Sequence, residues 1–226
     1  MDAAELLAQV ELFEALDPDA VQAVAAAARP CVFERNDLVF SEGDTAEELY
    51  VVRSGRIAIA IQATDGRQSV VALMEEGDLF GEMSFFDGEG RSADARALER
   101  CELVAVPFAA LRAVLEERPE LLWKVTALLA RRLRSTDAAL ADSMFLDVTG
   151  RTAKRLLELA GDADRFVLPV TQEELAGMVG ASRERVNKAI SAFIRLGWIE
   201  QSDRRYRILD REQLSRRATS LLAPLA

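Results

Sequence analysis

The period of the apolar positions changes twice along the chain. Over residues 1–29, Leu6, Leu7, Val10, Phe13 and Leu16 fall on one helical stripe, and Asp17-Pro18-Asp19 marks a break and a restart. Between Cys31 and Pro107 the texture becomes short β-like runs at residues 38–44, 49–55, 56–66, 69–78 and 101–107. The alternation in "RIAIAIQ", residues 56–62, gives one buried and one solvated face. Glycines at 43, 55, 66, 77 and 88 recur every 11 or 12 residues, so evenly spaced strands predict an all-β jelly-roll. Helix returns at 107–115. A long helix is then predicted from about Pro119, a residue suited to a first turn, to about Phe145. Along it Leu122, Thr126, Leu129, Leu133, Thr136, Leu140 and Ser143 alternate spacings of four and three, a heptad seam that predicts a partner helix. A helix lying on its own domain would need a broader apolar stripe. Residues 147–150, "DVTG", are predicted to break the helix and serve as a hinge.

Beyond the hinge, residues 152–161 read as an amphipathic helix ended by Gly161. Thr171 with Glu174 three residues on is a capping box, Leu175, Ala176 and Val179 form the inner face behind it, and Gly180 closes the helix. Ser182 caps a second helix whose apolar positions are Val186, Ala189, Ile190 and Phe193. Residues 198–210 read as a β-hairpin, the wing of a winged helix-turn-helix. The tail beyond Arg211 looks like an extra helix and has no assigned role.

Charge sharpens this division. The 226 residues carry a net charge of −10, which by itself argues against nucleic acid. Residues 1–149, however, hold 14 Lys and Arg against 28 Asp and Glu, a balance of −14, and residues 150–226 hold 14 against 10, a balance of +4. An acidic body with a basic tail domain predicts an anion-binding module joined to a regulatory one. No apolar run approaches the roughly 18 residues of a membrane span, and the acidic N-terminus is unlike a signal peptide, so a cytoplasmic protein is expected. The absence of histidine excludes His-based acid–base catalysis and His-ligated haem and argues against zinc. Cys31 and Cys101, far apart and without C-x-x-C spacing, read as buried free thiols and not as an iron–sulfur or other metal site. No nucleophile–base pair or Walker loop supports an enzyme.

The chemistry concentrates in "LFGEMSFFDGEGRSADA", residues 79–95. Its lone Arg91 stands among Gly and acidic residues and is followed by a hydroxyl, Ser92. A buried anion calls for this arrangement, because a desolvated charge must be paired and hydrogen-bonded and Arg offers a planar fork. The plainer alternative is a structural salt bridge between Glu82 and Arg91.

With "ARRLRST", "FLDVTGR" and "VGASRERVNKAI" further along, in this order and spacing, the chain resembles the cyclic-AMP receptor protein (catabolite activator)/fumarate-nitrate regulator superfamily over essentially its full length. The resemblance implies an α+β architecture: a cyclic-nucleotide-binding β-roll with flanking helices at 1–118, a dimerisation helix at 119–146, a hinge at 147–150 and a winged helix-turn-helix at 151–226. It implies that Gly81 lets the backbone approach a ribose, that Glu82 accepts from the 2′-hydroxyl, and that Arg91 pairs with the cyclic phosphate. Ser92 and backbone N–H groups complete the anion's donors, with Met83, Ser84 and Ala93 in the same cradle. Arg132, Thr136 and Asp137 reach the purine, one of them from the partner subunit. Asp137 departs from a serine of the family. A carboxylate there can accept adenine's amine singly or guanine's N1–H and amine together, or can face solvent, so cyclic AMP and cyclic GMP both stay open.

On the DNA side the resemblance implies that Ser182 opens a recognition helix on which Arg183 reads guanine and Glu184 accepts from cytosine. Asn187 belongs to the same helix, and Lys188 stands where the family carries Arg. Arg185, Thr171 and Gln172 are expected at phosphates. The implied partners are a second copy of the chain through 119–146, double-stranded DNA with palindromic TGTGA-like half-sites, and RNA polymerase. The connection at 161–170 is shorter than the family's polymerase-contacting loop, which puts that last contact in question. A ligand-independent DNA-binding protein with a vestigial pocket is the remaining alternative.

Overall fold

The computed structural model describes residues 2–14, 16–62 and 68–219. They form two compact units, the first made of the described residues within 1–62 and 71–133, the second of those within 68–70 and 134–219. Gly66 and the last seven residues of the tail lie outside the described residues.

The first unit opens with α1 (Ala3–Ala8), whose Asp2 and Glu5 form a capping box, and α2 (Pro18–Ala27), capped by Asp17 with proline in its first turn. All five residues of the predicted N-terminal stripe are buried, but only Leu6 and Leu7 lie in a helix. Beyond α1 the backbone turns instead: Val10 N–H donates to Leu7 O, Phe13 to Val10 and Leu16 to Phe13, at 2.8–3.0 Å. The three-residue spacing of these apolar positions is thus met by i→i−3 bonds, which present every third side chain to the same face without an α-helix.

Among the described residues eight strands follow: β1 (Arg29–Phe33), β2 (Leu38–Phe40), β3 (Glu48–Ser54), β4 (Ile57–Gln62), β5 (Gln68–Met74), β6 (Leu79–Phe80), β7 (Asp94–Ala97) and β8 (Cys101–Pro107). They build two four-stranded sheets, ordered β1-β8-β3-β6 and β2-β7-β4-β5. Between the sheets lies a core of Tyr50, Val52, Ile57, Phe80, Ala95 and Leu103 among others. On the other face of the β3–β8 pair, Leu49, Val51, Val104 and Val106 pack under the N-terminal helices and α4 (Phe108–Glu117). Strands buried on both faces read as continuous apolar runs, which is why "LYVV" and "LVAV" do not alternate. Cys101 is buried and Cys31 half-buried, both as free thiols.

Three strands of this unit escaped the sequence reading. β1 carries Arg and Pro, β6 is two residues long, and β7 is built from Asp, Ala and Arg. A short helix, α3 (Met83–Asp87), follows directly on Gly81-Glu82. Pro119–Leu121 form a 3₁₀ turn, and the long helix α5 (Leu122–Phe145) begins just after it. Its seam residues Leu122, Leu133 and Leu140 are 47%, 62% and 58% exposed, whereas Leu129 packs on the core of the first unit.

The second unit comprises α6 (Val148–Ala160), β9 (Arg165–Val167), α7 (Gln172–Val179), α8 (Arg183–Arg195), β10 (Ile199–Ser202), β11 (Arg205–Ile208) and α9 (Arg211–Thr219). Asp147 caps α6, accepting from Gly150 N–H at 2.7 Å, so Val148, Thr149 and Gly150 are already its first turn. The break between helices is therefore narrower than the tetrapeptide 147–150 and falls at Leu146–Asp147, because Asp is a strong N-cap. The capping box of Thr171 and Glu174, the left-handed Gly180 (φ 67°) and the Ser182 cap all form as the sequence predicts. The seven apolar positions predicted for these two helices are buried. The wing hairpin β10–β11 is joined by the unpredicted β9 in a three-stranded sheet, and α9 packs on α6.

Candidate functional site

The β3–β6 ladder ends at the Tyr50–Phe80 pair, because the chain turns away at Gly81 (φ 77°). Past that pair the carbonyls of Gly81 and Glu48 are both taken by Arg91, Nη1 donating at 2.6 Å and Nη2 at 2.7 Å. The guanidinium lies over the Phe40 ring at 4.2 Å from its centroid, with Tyr50 and Phe108 at 5.7 and 6.0 Å. Its loop is pinned to a second one: Arg91 N–H donates to Asp44 O at 2.9 Å, and Gly43 N–H to Arg91 O at 2.8 Å. A Cβ at Gly90 would come within 2.8 Å of Gly43 O, so only glycine allows this approach. Arg91 is 5% exposed and its Nε has no partner. Burial pulls its pKa below the ordinary arginine value, and the fields of Tyr50 and of the Glu48, Asp44 and Glu82 carboxylates act against that pull.

Glu82 is fully buried. Arg132 of α5 donates through Nη1 to Glu82 Oε1 and through Nη2 to Leu79 O, while Glu82 Oε2 is buried without a partner. The salt bridge between Glu82 and Arg91 is therefore not what holds either group: each has its own partners. Arg132, expected at the purine, pairs with Glu82 in this structure, a pairing across fifty positions that no local pattern signals. Ser84 and Ala93 are buried behind the loop, Met83 is exposed, and Ser92 is exposed with its hydroxyl against Met83 Sδ at 3.5 Å. Thr136 and Asp137 are exposed on α5, in the second unit. Glu48, Phe40 and Tyr50, which fix Arg91, were not legible in the sequence because they are ordinary strand residues brought in by the roll. Arginine carries five donors, and here two are spent on carbonyls. A buried cation with donors in hand beside a buried carboxylate with a lone oxygen fits a ligand that carries both an anion and a hydroxyl.

On α8, Arg183, Glu184, Arg185 and Lys188 are exposed and Asn187 is half-buried. Lys188 pairs with Glu184 at 2.7 Å and holds its carboxyl below the usual carboxylate value. Thr171 spends its hydroxyl on Glu174 N–H, and Gln172 Nε2 donates to Tyr206 OH at 2.8 Å, so both brace the domain. Arg151 donates to Leu146 O and to Val179 O, each at 2.7 Å, tying the end of α5 to the end of α7. A groove of about 770 Å³ runs between the start of α6 and α8, lined by Asp147, Val148, Thr149, Glu184, Arg185 and Lys188 among others.

Known proteins place both regions. Residues 30–118 match the cyclic nucleotide-binding domain family and residues 150–217 the Crp-like helix-turn-helix domain family. The chain is 41% identical over 221 residues to a CRP-like cAMP-activated global transcriptional regulator of Mycobacterium tuberculosis, covering 95% of this chain and 99% of that protein. It is 34% identical over 156 residues to the cAMP-activated global transcriptional regulator CRP of Escherichia coli O6:H1, covering 66% of this chain and 74% of that one. The structure of FixK2 from Bradyrhizobium japonicum shares the fold, with a TM-score of 0.76 at 22% identity over 85% of this chain and 98% of that one. With both halves matched in order and one relative aligned nearly end to end, the chain belongs to the CRP/FNR family of transcription regulators.

Proposed function

We propose that this protein is a cyclic-nucleotide-gated, homodimeric transcription regulator that binds palindromic TGTGA-like DNA sites. The observation that carries the reading is the buried pair of Glu82 and Arg91, each with an unpartnered polar atom and each held by other groups. Burying two such charges costs several kcal/mol unless something completes their bonding. In this reading Arg91 holds the cyclic phosphate, with Ser92 and the loop amides, and Glu82 Oε2 accepts a ribose hydroxyl. Gly81, Met83, Ser84 and Ala93 form the cradle. Arg132 joins Glu82 to α5, so a ligand at Glu82 would act on the long helix by changing this contact.

The functional divisions follow as 1–118 for the nucleotide-binding β-roll, 119–146 for the dimer helix, 147–150 for the hinge and 151–226 for DNA binding. Leu122, Leu133 and Leu140 offer the exposed seam for a second copy. Cyclic AMP is favoured, since the two regulators named above, from Mycobacterium tuberculosis and Escherichia coli, carry it in their names. Asp137, exposed on α5 near the dimer seam, keeps cyclic GMP or dual use as the alternative. Arg183 and Glu184 read bases after Glu184 releases Lys188, Arg185 meets phosphate, and RNA polymerase is the expected partner.

Operator binding followed by fluorescence anisotropy, with cyclic AMP, cyclic GMP or neither, tests the reading. A tenfold gain with one nucleotide, about 1.4 kcal/mol of coupling, is expected, and Arg91→Ala should abolish it. Equal affinity in all three conditions would favour the ligand-independent alternative.

A further inference from the structure

The C-terminal helix α9 has no part in the function proposed so far, yet it delivers a buried cation to the start of α6. Arg217 is 4% exposed, and its Nη2 reaches both carboxylate oxygens of Asp147, Oδ1 at 2.5 Å. The same Oδ1 caps Gly150 N–H. α9 is anchored independently of this contact. Asp210 Oδ1 accepts from Gln213 N–H at 3.0 Å, Arg211 donates to the carbonyls of Gly161 and Ala163 at 2.9 and 2.8 Å, and Leu214 is fully buried. A Cβ at Gly150 would stand 3.0 Å from Arg217 Nη1 and 3.1 Å from Arg217 O, so the glycine leaves room for the arginine to pass.

Asp147 also lines the groove beside Glu184, Arg185 and Lys188. Its side chain is 57% exposed against 5% for Arg217. A carboxylate in that place, left uncompensated, would repel a phosphate backbone entering the groove. We propose that Arg217 is a positioning residue for the DNA-facing surface: from inside the domain it holds Asp147 on the first turn of α6 and cancels the carboxylate's charge beside the recognition helix. The inference rests on reading this domain as the DNA-binding one. Burial raises the Asp147 carboxyl, but the Gly150 amide and the Arg217 guanidinium outweigh it and leave the pKa below the ordinary aspartate value.

The test compares full-length wild type, Arg217→Met, Arg217→Lys and the Asp147→Asn/Arg217→Met double variant, by operator affinity and by amide hydrogen exchange over residues 148–152. Arg217→Met should lose about tenfold in affinity and exchange faster in the first turn of α6. The double variant should regain most of that affinity, because Asn still caps the helix and carries no charge. A double variant as weak as Arg217→Met, or an Arg217→Met that binds like wild type, overturns the proposal. Should Arg217→Met fail to fold, Arg217→Lys decides: retained affinity is expected, and a loss of tenfold or more overturns the role of charge. If wild type binds no such DNA under any condition, the functional reading is what fails. The exchange measurement then stands alone, and unchanged protection in Arg217→Met overturns the positioning role as well.

Discussion

Arg91 shows how a single residue can be dictated by its surroundings before any ligand is considered. The roll supplies it with two carbonyls that the ladder leaves unused, an aromatic face and a loop-to-loop backbone bond. Gly81 is the other half of this arrangement. A Cβ there would lie 2.7 Å from Arg91 Nη1, at a φ of 77° that side chains rarely adopt. Gly81→Ala should therefore cost about 1–2 kcal/mol in backbone strain and push the guanidinium out of place. Calorimetric titration with cyclic nucleotide is expected to show at least a tenfold loss of affinity. An unchanged affinity would mean that Arg91 does not hold the ligand.

At the level of elements, local signals were reliable where they were self-contained. Thr171 and Glu174 satisfy one another's neighbours within a single turn, so the capping box can be read from four consecutive residues. Thr171→Ala should destabilise the helix-turn-helix unit by about 1 kcal/mol, measurable as a lowered thermal midpoint, and a variant as stable as wild type would show that the cap is idle. The N-terminal stripe was legible as a buried face but not as turns. Spacings of three satisfy both a helix and a run of i→i−3 bonds, and only packing chose between them.

For the whole molecule, the seam on α5 is an apolar feature that the single chain leaves exposed. Leu133→Lys places a charge in its middle and should shift the protein from dimer to monomer in sedimentation, with a parallel loss of affinity for palindromic DNA. A dimer that survives this change would place the interface elsewhere. The contrast between the −14 of residues 1–149 and the +4 of residues 150–226 leaves the C-terminal part as the one whose net charge favours a phosphate backbone. Operator affinity should accordingly be steeply salt-dependent.

The sequence by itself determined the caps of the helix-turn-helix at Thr171, Gly180 and Ser182, the hairpin that follows it, the heptad spacing along the long helix and the candidacy of Arg91. Each of these rests on residue type and on spacings within a few positions. Tertiary structure alone decided that Glu82 belongs to Arg132 and that Arg91 belongs to the carbonyls of Glu48 and Gly81. It also decided that Arg217 reaches back to Asp147. These partners are brought together by the closing of the roll and the docking of helices. A buried charge must find some partner, but its chemistry does not specify which one along the chain; the packed fold does.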